Sequence, residues 1–207
     1  MARSRIALSW DRFAVVAAQL LLLGAALRLW LLVDASPAFL GYPDSGAYIA
    51  AATGLSASEF QPAGYSVFLQ MGHLISGRLA ATVLVQHLLG LATAVLYLDG
   101  LRRVARVRWM ALIPTVFVLF DGLQLFFEHT VMSEVVFVAL VAVAMYAAVR
   151  LLVGRWLPWT VLMVAACGLA VAVRAVALPL IVVLAVWLAL VRPTAIRRFL
   201  PAATPWP

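Results

Sequence analysis

Asp44-Ser-Gly-Ala-Tyr48 and Gln61-Pro-Ala-Gly-Tyr65 are polar, turn-rich stretches set between two long apolar segments. A carboxylate at Asp44, just beyond a first membrane span, can take the proton of an acceptor hydroxyl as a general base. The same residue can instead cap a helix beginning near 45, a role worth about 1 kcal/mol. Tyr48 and Tyr65 close the two stretches. A second group, Glu128, His129 and Glu134, puts two carboxylates and an imidazole within seven residues. Such a set can hold a divalent cation or orient a phosphate, although its spacing matches no specific ligand motif. A solvated loop also accounts for Glu128, and the dipole of a starting helix accounts for Glu134. Arg174 lies inside a 35-residue apolar run from 157 to 191. A charge at such depth is usually functional or paired, or it snorkels to the membrane surface from a hairpin turn. Asp121, followed by Gly122, is placed to pair with an arginine. Cys167 stands alone in an apolar run and reads as a buried, inert thiol. His73 and His87 lie in apolar helical stretches and read as packed core residues.

The elements that must position these residues are apolar helices. The chain has 207 residues, of which 66% are hydrophobic and 11% charged, too little charge for the surface of a soluble domain. Fifteen basic residues, all arginine, face eight acids. They cluster between apolar segments, where topology explains them, so no nucleic-acid partner is expected. Six spans are predicted, at 13–33, 79–99, 109–127, 132–153, 157–173 and 175–191, the last two joined by a tight hairpin with Arg174 at its turn. The first is too long for a signal-peptide core of about 7–15 residues and reads as an uncleaved span. Twelve of the fifteen arginines fall on one side, placing both termini in the cytoplasm of a cell-membrane protein. Asp34, Asp44, Glu59, Asp121, Glu128 and Glu134 gather on the opposite face. The 34–78 loop is expected to carry two short interfacial helices, at 45–55 and 66–75. No broken helix and no internal repeat is evident, which argues against a transporter.

Tyr42-Pro-Asp-Ser-Gly-Ala-Tyr48, Gln61-Pro-Ala-Gly-Tyr-Ser-Val-Phe-Leu69, Thr130-Val-Met-Ser-Glu134 and Gly168-Leu-Ala-Val-Ala-Val-Arg174 occur in this order. In order and topology they resemble the glycosyltransferase C superfamily. The bacterial branch related to protein O-mannosyltransferases and lipid A aminoarabinose transferases is the most similar. The resemblance implies an all-α, polytopic membrane enzyme that moves a sugar from a polyprenyl-phosphate carrier to an acceptor on the non-cytoplasmic face. Asp44 is then the base, and Tyr48, Tyr65, Glu128, His129, Glu134 and Arg174 contact substrate. Two departures stand out: Ser45 replaces the family's frequent Glu, and Pro62-Ala63-Gly64 lacks one proline. The family also continues for further spans, so 1–207 is expected to be a single transmembrane domain forming the N-terminal part of a longer enzyme, completed by another chain if not by its own. The competing expectations are a small transporter or scaffold, and a truncated, inactive relic of the enzyme.

Overall fold

The computed structural model describes residues 11–35, 38–40, 42–54, 61–153 and 156–199. The termini, Arg3, Arg5, Glu59 and Arg155, all used in the charge count, lie outside them. Among the described residues, nine α-helices follow one another. They are α1 (Arg12–Asp34), α2 (Pro43–Gly54), α3 (Gly64–Ile75), α4 (Leu79–Val104), α5 (Leu112–Phe120), α6 (Gly122–His129), α7 (Glu134–Val153), α8 (Trp156–Val173) and α9 (Leu178–Phe199). Short 3-10 turns precede α5 and α9. Among the described residues, extended pairing is limited to one bridge, Phe39 with Thr130.

Among the described residues, three helices are long and apolar enough to cross a membrane: Arg12–Asp34, Leu79–Val104 and Glu134–Leu152. A fourth crossing results if α5 and α6 count together, but they meet at 48°. Leu157–Val173 and Ala175–Leu190 are shorter apolar helices. The chain is therefore all-helical with three to four candidate spans, against six expected. The expected absence of broken helices is overturned at Asp121. Its backbone is extended (φ −66°, ψ 125°), and its side chain accepts from Gln124 N at 2.8 Å, so it ends one helix and caps the next. An Asp-Gly pair favours such a turn. Asp121 is thus an exposed cap, and among the described residues it pairs with no arginine.

The two ends of the bundle differ in chemistry. At one, here the arginine end, Arg108 pairs with Asp11, which also caps α1 by accepting from Phe13 N at 3.1 Å. Hydrogen bonding from Arg108 holds the Asp11 carboxyl below its usual range. Asp99 accepts from Arg102 Nε and Arg103 Nε, each at 2.9 Å, and from the Tyr146 hydroxyl at 2.8 Å; Arg150 donates to that same hydroxyl. The opposite, loop end carries α2 and α3. The chain breaks at Arg174, which is extended, and Leu184 of α9 folds back to share a cluster with Met163, Ala166 and Cys167. Ala144, Ala147 and Ala170 are fully buried, small side chains that let α7 and α8 approach closely. Many large apolar side chains point outward, including Leu22, Leu29, Val33, Leu74 and Ile75, as lipid contact requires.

Candidate functional site

The break at Asp121 leaves the last carbonyls of α5 without intrahelical donors, and Arg28 fills that vacancy. Its guanidinium donates to Leu119 O and Val118 O at 3.0 Å each, and to Gly24 O at 3.1 Å. The remaining two donors grip Glu128, Nε to Oε2 and Nη2 to Oε1, both at 2.7 Å. All five guanidinium N–H groups are thereby used. Arg28 is 2% exposed and Glu128 0%. Glu128 also accepts from Gln124 Nε2 at 3.0 Å and lies 2.9 Å from His87 Nδ1. Its carboxylate rests against the backbone of α4 at Gly90, where a Cβ would collide with Glu128 Oε1 and Cδ. Glycine there is the packing condition for a buried charge pair.

A second polar layer extends from this centre toward α2 and α3. Tyr65, fully buried, donates to Gln86 Oε1 at 2.7 Å. Gln86 Nε2 in turn donates to Glu128 O at 3.0 Å and Thr130 O at 2.8 Å, holding the segment between α6 and α7. Burial pushes the Tyr65 phenol above its ordinary range, with Tyr48 and the charge of Glu134 adding to the effect. Tyr65 packs edge-on against Tyr48, ring centroids 4.8 Å apart. The start of α3 reaches this place because Gly64 abuts the α8 backbone, where a Cβ would meet Ala172 C and Val173 N within 3 Å. The Gly64-Tyr65 pair therefore has a packing reason independent of any catalytic one.

The Tyr48 hydroxyl and Ser133 Oγ are 3.0 Å apart, and Arg174 Nη1 donates to the same Ser133 oxygen at 3.3 Å. Arg174 Nη1 also pairs with Glu134 Oε1. Arg174 Nε and Nη2 have no partner among the described residues and the side chain is 35% exposed, so three N–H donors stay open. Glu134 Oε2 is buried without a hydrogen-bond partner, as are Ser45 Oγ and Gln61 Oε1. Asp44 is exposed in the first turn of α2, with no ion pair or hydrogen bond among the described residues. The helix begins at Pro43, so Asp44 is not its cap; a carboxylate in a first turn interacts favourably with the helix dipole. It sits one turn before Tyr48, where Cβ atoms of such a pair are about 5–6 Å apart.

The residues singled out from sequence thus divide in two. Tyr48, Glu134 and Arg174 meet at one cluster, with Asp44 a helical turn from it and Tyr65 packed edge-on beside it. Glu128 and His129 belong to the deeper Arg28 centre. The solvated-loop reading of Glu128 is overturned, since Arg28 and His87 draw it into the core. The described residues hold no group of three or more His, Cys, Asp or Glu side chains placed for a metal ion. His73 is exposed, contrary to a packed role, whereas His87 is buried but in a polar network. Gln86, Ser133 and the pairing partner of Arg28 were not anticipated. An arginine within an apolar 23-residue helix, and a Gln-His pair within another, were the available signals. Comparison with protein-family models, curated proteins and solved structures returns no match for this chain. What fold and site define is an all-helical, membrane-associated protein with a buried charged centre beneath a half-open arginine–glutamate–tyrosine cluster.

Proposed function

We propose that the chain is a membrane glycosyltransferase that moves a sugar from a polyprenyl-phosphate donor to a hydroxyl acceptor at the loop end, the non-cytoplasmic face. The observation that carries this reading is the half-open guanidinium of Arg174. Glu134 and Ser133 fix its Nη1, while Nε and Nη2 remain free for a phosphate in bidentate geometry. In the proposed step the acceptor oxygen attacks the anomeric carbon of the sugar and its proton passes to the Asp44 carboxylate. The bond from that carbon to the phosphate oxygen breaks, and the electron pair leaves with the lipid phosphate against Arg174. Glu134 Oε2, buried and unpartnered, supplies an acceptor for a sugar hydroxyl. Tyr48 and Tyr65 wall the site with edge-packed rings. In this reading α2 and α3 lie along the membrane surface, and both termini are cytoplasmic.

Asp44→Asn keeps the size and the polarity of the side chain but cannot take a proton. With the chain in lipid vesicles and a short-chain prenyl-phosphate sugar as donor, it should lower transfer by about 10²–10⁴-fold. Donor binding should stay near the parent value. Asp34→Asn, at the same face, should leave transfer unchanged. Equal transfer by Asp44→Asn and the parent, or no transfer by the parent at all, would sink the proposal.

The broken span favours a second reading. Discontinuous helices beside buried charges are the usual architecture of transporter ion sites. Solute-dependent flux through proteoliposomes, without any transferred sugar, would decide for a transporter.

A further inference from the structure

Below the cluster, three side chains and one carbonyl form a single file. Glu128 Oε2 faces His87 Nδ1 at 2.9 Å, His87 Nε2 faces His129 Nδ1 at 3.3 Å, and His129 Nε2 faces Ala35 O at 2.9 Å. Both ends of the file are acceptors, because a carbonyl and an ionised carboxylate have no proton to give. Each of the three gaps therefore needs one proton. Two neutral imidazoles carry two between them. The third has to be bound. Without it, two bare acceptor atoms would face each other where His87 and His129 are each 2% exposed.

Glu128 is the less favourable carrier of that proton. Both its oxygens already accept from the Arg28 guanidinium, and Gln124 adds another donor. Charge-assisted pairing of this kind stabilises the ionised carboxylate. The imidazoles sit in the opposite field. His129 lies in the last turn of α6, and Ala35 is the C-terminal cap of α1, so two helix C-termini converge on the pair. Cations are stabilised at helix C-termini. Among the described residues, the charged groups that hydrogen bonds bring to the pair are Glu128, against His87, and Arg28, which pairs with Glu128. Gln124 and Gln86 are neutral neighbours of Glu128, and Asp34 precedes Ala35 in the chain. The Phe39 ring lies 4.9 Å from His129. Arg28 and Glu128 offset each other.

We propose that the His87–His129 pair is a binding site for one proton, carried by the rings as a shared cation between Glu128 and the Ala35 carbonyl. The file is closed at Glu128 by Arg28 and reaches partly exposed chain at Ala35, so the proton enters and leaves at the loop end. It also governs position. The His129 ring holds Ala35 O while its own carbonyl accepts from Phe39 N at 3.1 Å, so one residue binds the end of α1 and Phe39, which precedes α2 in the chain. Loss of the proton releases a contact on the path to Asp44. The site does not depend on the glycosyltransferase reading and would serve a proton-coupled transporter equally.

The test is a proton count on the full chain in lipid nanodiscs, with histidine side chains labelled in ¹⁵N, at pH 7.5. An unperturbed imidazole, with a pKa of about 6.5, is largely neutral there. Exposed His73 supplies the reference signal. The buried pair is expected to show three N–H protons on four ring nitrogens. In His87→Gln, whose amide donates to Glu128 and turns its oxygen to His129 Nδ1, the same count puts N–H protons on both nitrogens of His129, one toward the amide and one toward Ala35 O; a single N–H on that ring would overturn the proposal. One N–H per buried ring in the parent would overturn the proposal, as would a protonated Glu128 in a ¹³C carboxyl spectrum. Should His87→Gln fail to fold, the count on the parent decides alone.

Discussion

Removing Arg28 probes the centre of this fold most directly. Arg28→Met keeps an unbranched apolar stem of similar reach but deletes five hydrogen bonds, two of them to Glu128. Glu128, at 0% exposure, is left with Gln124 and His87 as partners, and the Val118 and Leu119 carbonyls lose their donor. Removing one member of a buried ion pair costs about 3–5 kcal/mol, because an uncompensated charge stays behind. A membrane setting draws the figure toward the lower end, since the unfolded chain in lipid also finds polar partners. About 3 kcal/mol is the working figure, or roughly a 150-fold change in the unfolding equilibrium if each factor of ten is about 1.4 kcal/mol. Unfolding in mixed micelles by titration with a denaturing detergent reads it, followed by tryptophan fluorescence. The double variant Arg28→Met/Glu128→Met should recover much of the loss, because replacing both charges by apolar groups is often neutral. Recovery is expected to be incomplete, as the α5 carbonyls and His87 Nδ1 stay unpaired. A cost below about 1 kcal/mol for Arg28→Met would refute the reasoning, since it would put the pair in the range of an exposed surface bridge.

Tyr65→Phe keeps both ring contacts but strands Gln86 Oε1 at full burial, so it should cost about 1–3 kcal/mol in the same unfolding assay. Gln86→Leu should cost more, since Gln86 also donates to Glu128 O and Thr130 O. An unchanged midpoint for both would remove the polar layer from the account of stability. The gathering of Arg102, Arg103, Arg108 and Arg150 at one end predicts cytoplasmic termini. A cysteine introduced at position 203 should then react with an impermeant maleimide only after the cells are opened, and labelling of intact cells would reverse the orientation.

What the sequence made legible, and what it hid, separates along one physical line. Local chemistry is readable from neighbours: the apolar run of α1, the break at Arg174 and the two short helices after Pro43 and Gly64 all follow from residues close in the chain. The break at Asp121 was equally local, an Asp-Gly pair in an apolar run, but a count of apolar residues passes over it. The apolar stretch from 109 to 127 meets a length criterion whether or not it is straight. Pairings across roughly 40 to 100 residues could not be read this way. Nothing near Arg28 announces Glu128, and nothing near Glu128 announces Gly90. A second constraint points to them nonetheless. An arginine inside an apolar helix must be paired, and the acids closest to the same depth are few. Asp34 ends α1 and Asp44 lies beyond it, Asp121 is spent as a cap, and Glu134 belongs to Arg174. Elimination leaves Glu128. The carboxylate that sequence patterning set in a solvated loop is the one that the cost of a buried guanidinium requires inside. It draws α6 across the bundle, and His129 with it, onto Ala35 and Phe39, ahead of the helix that carries Asp44.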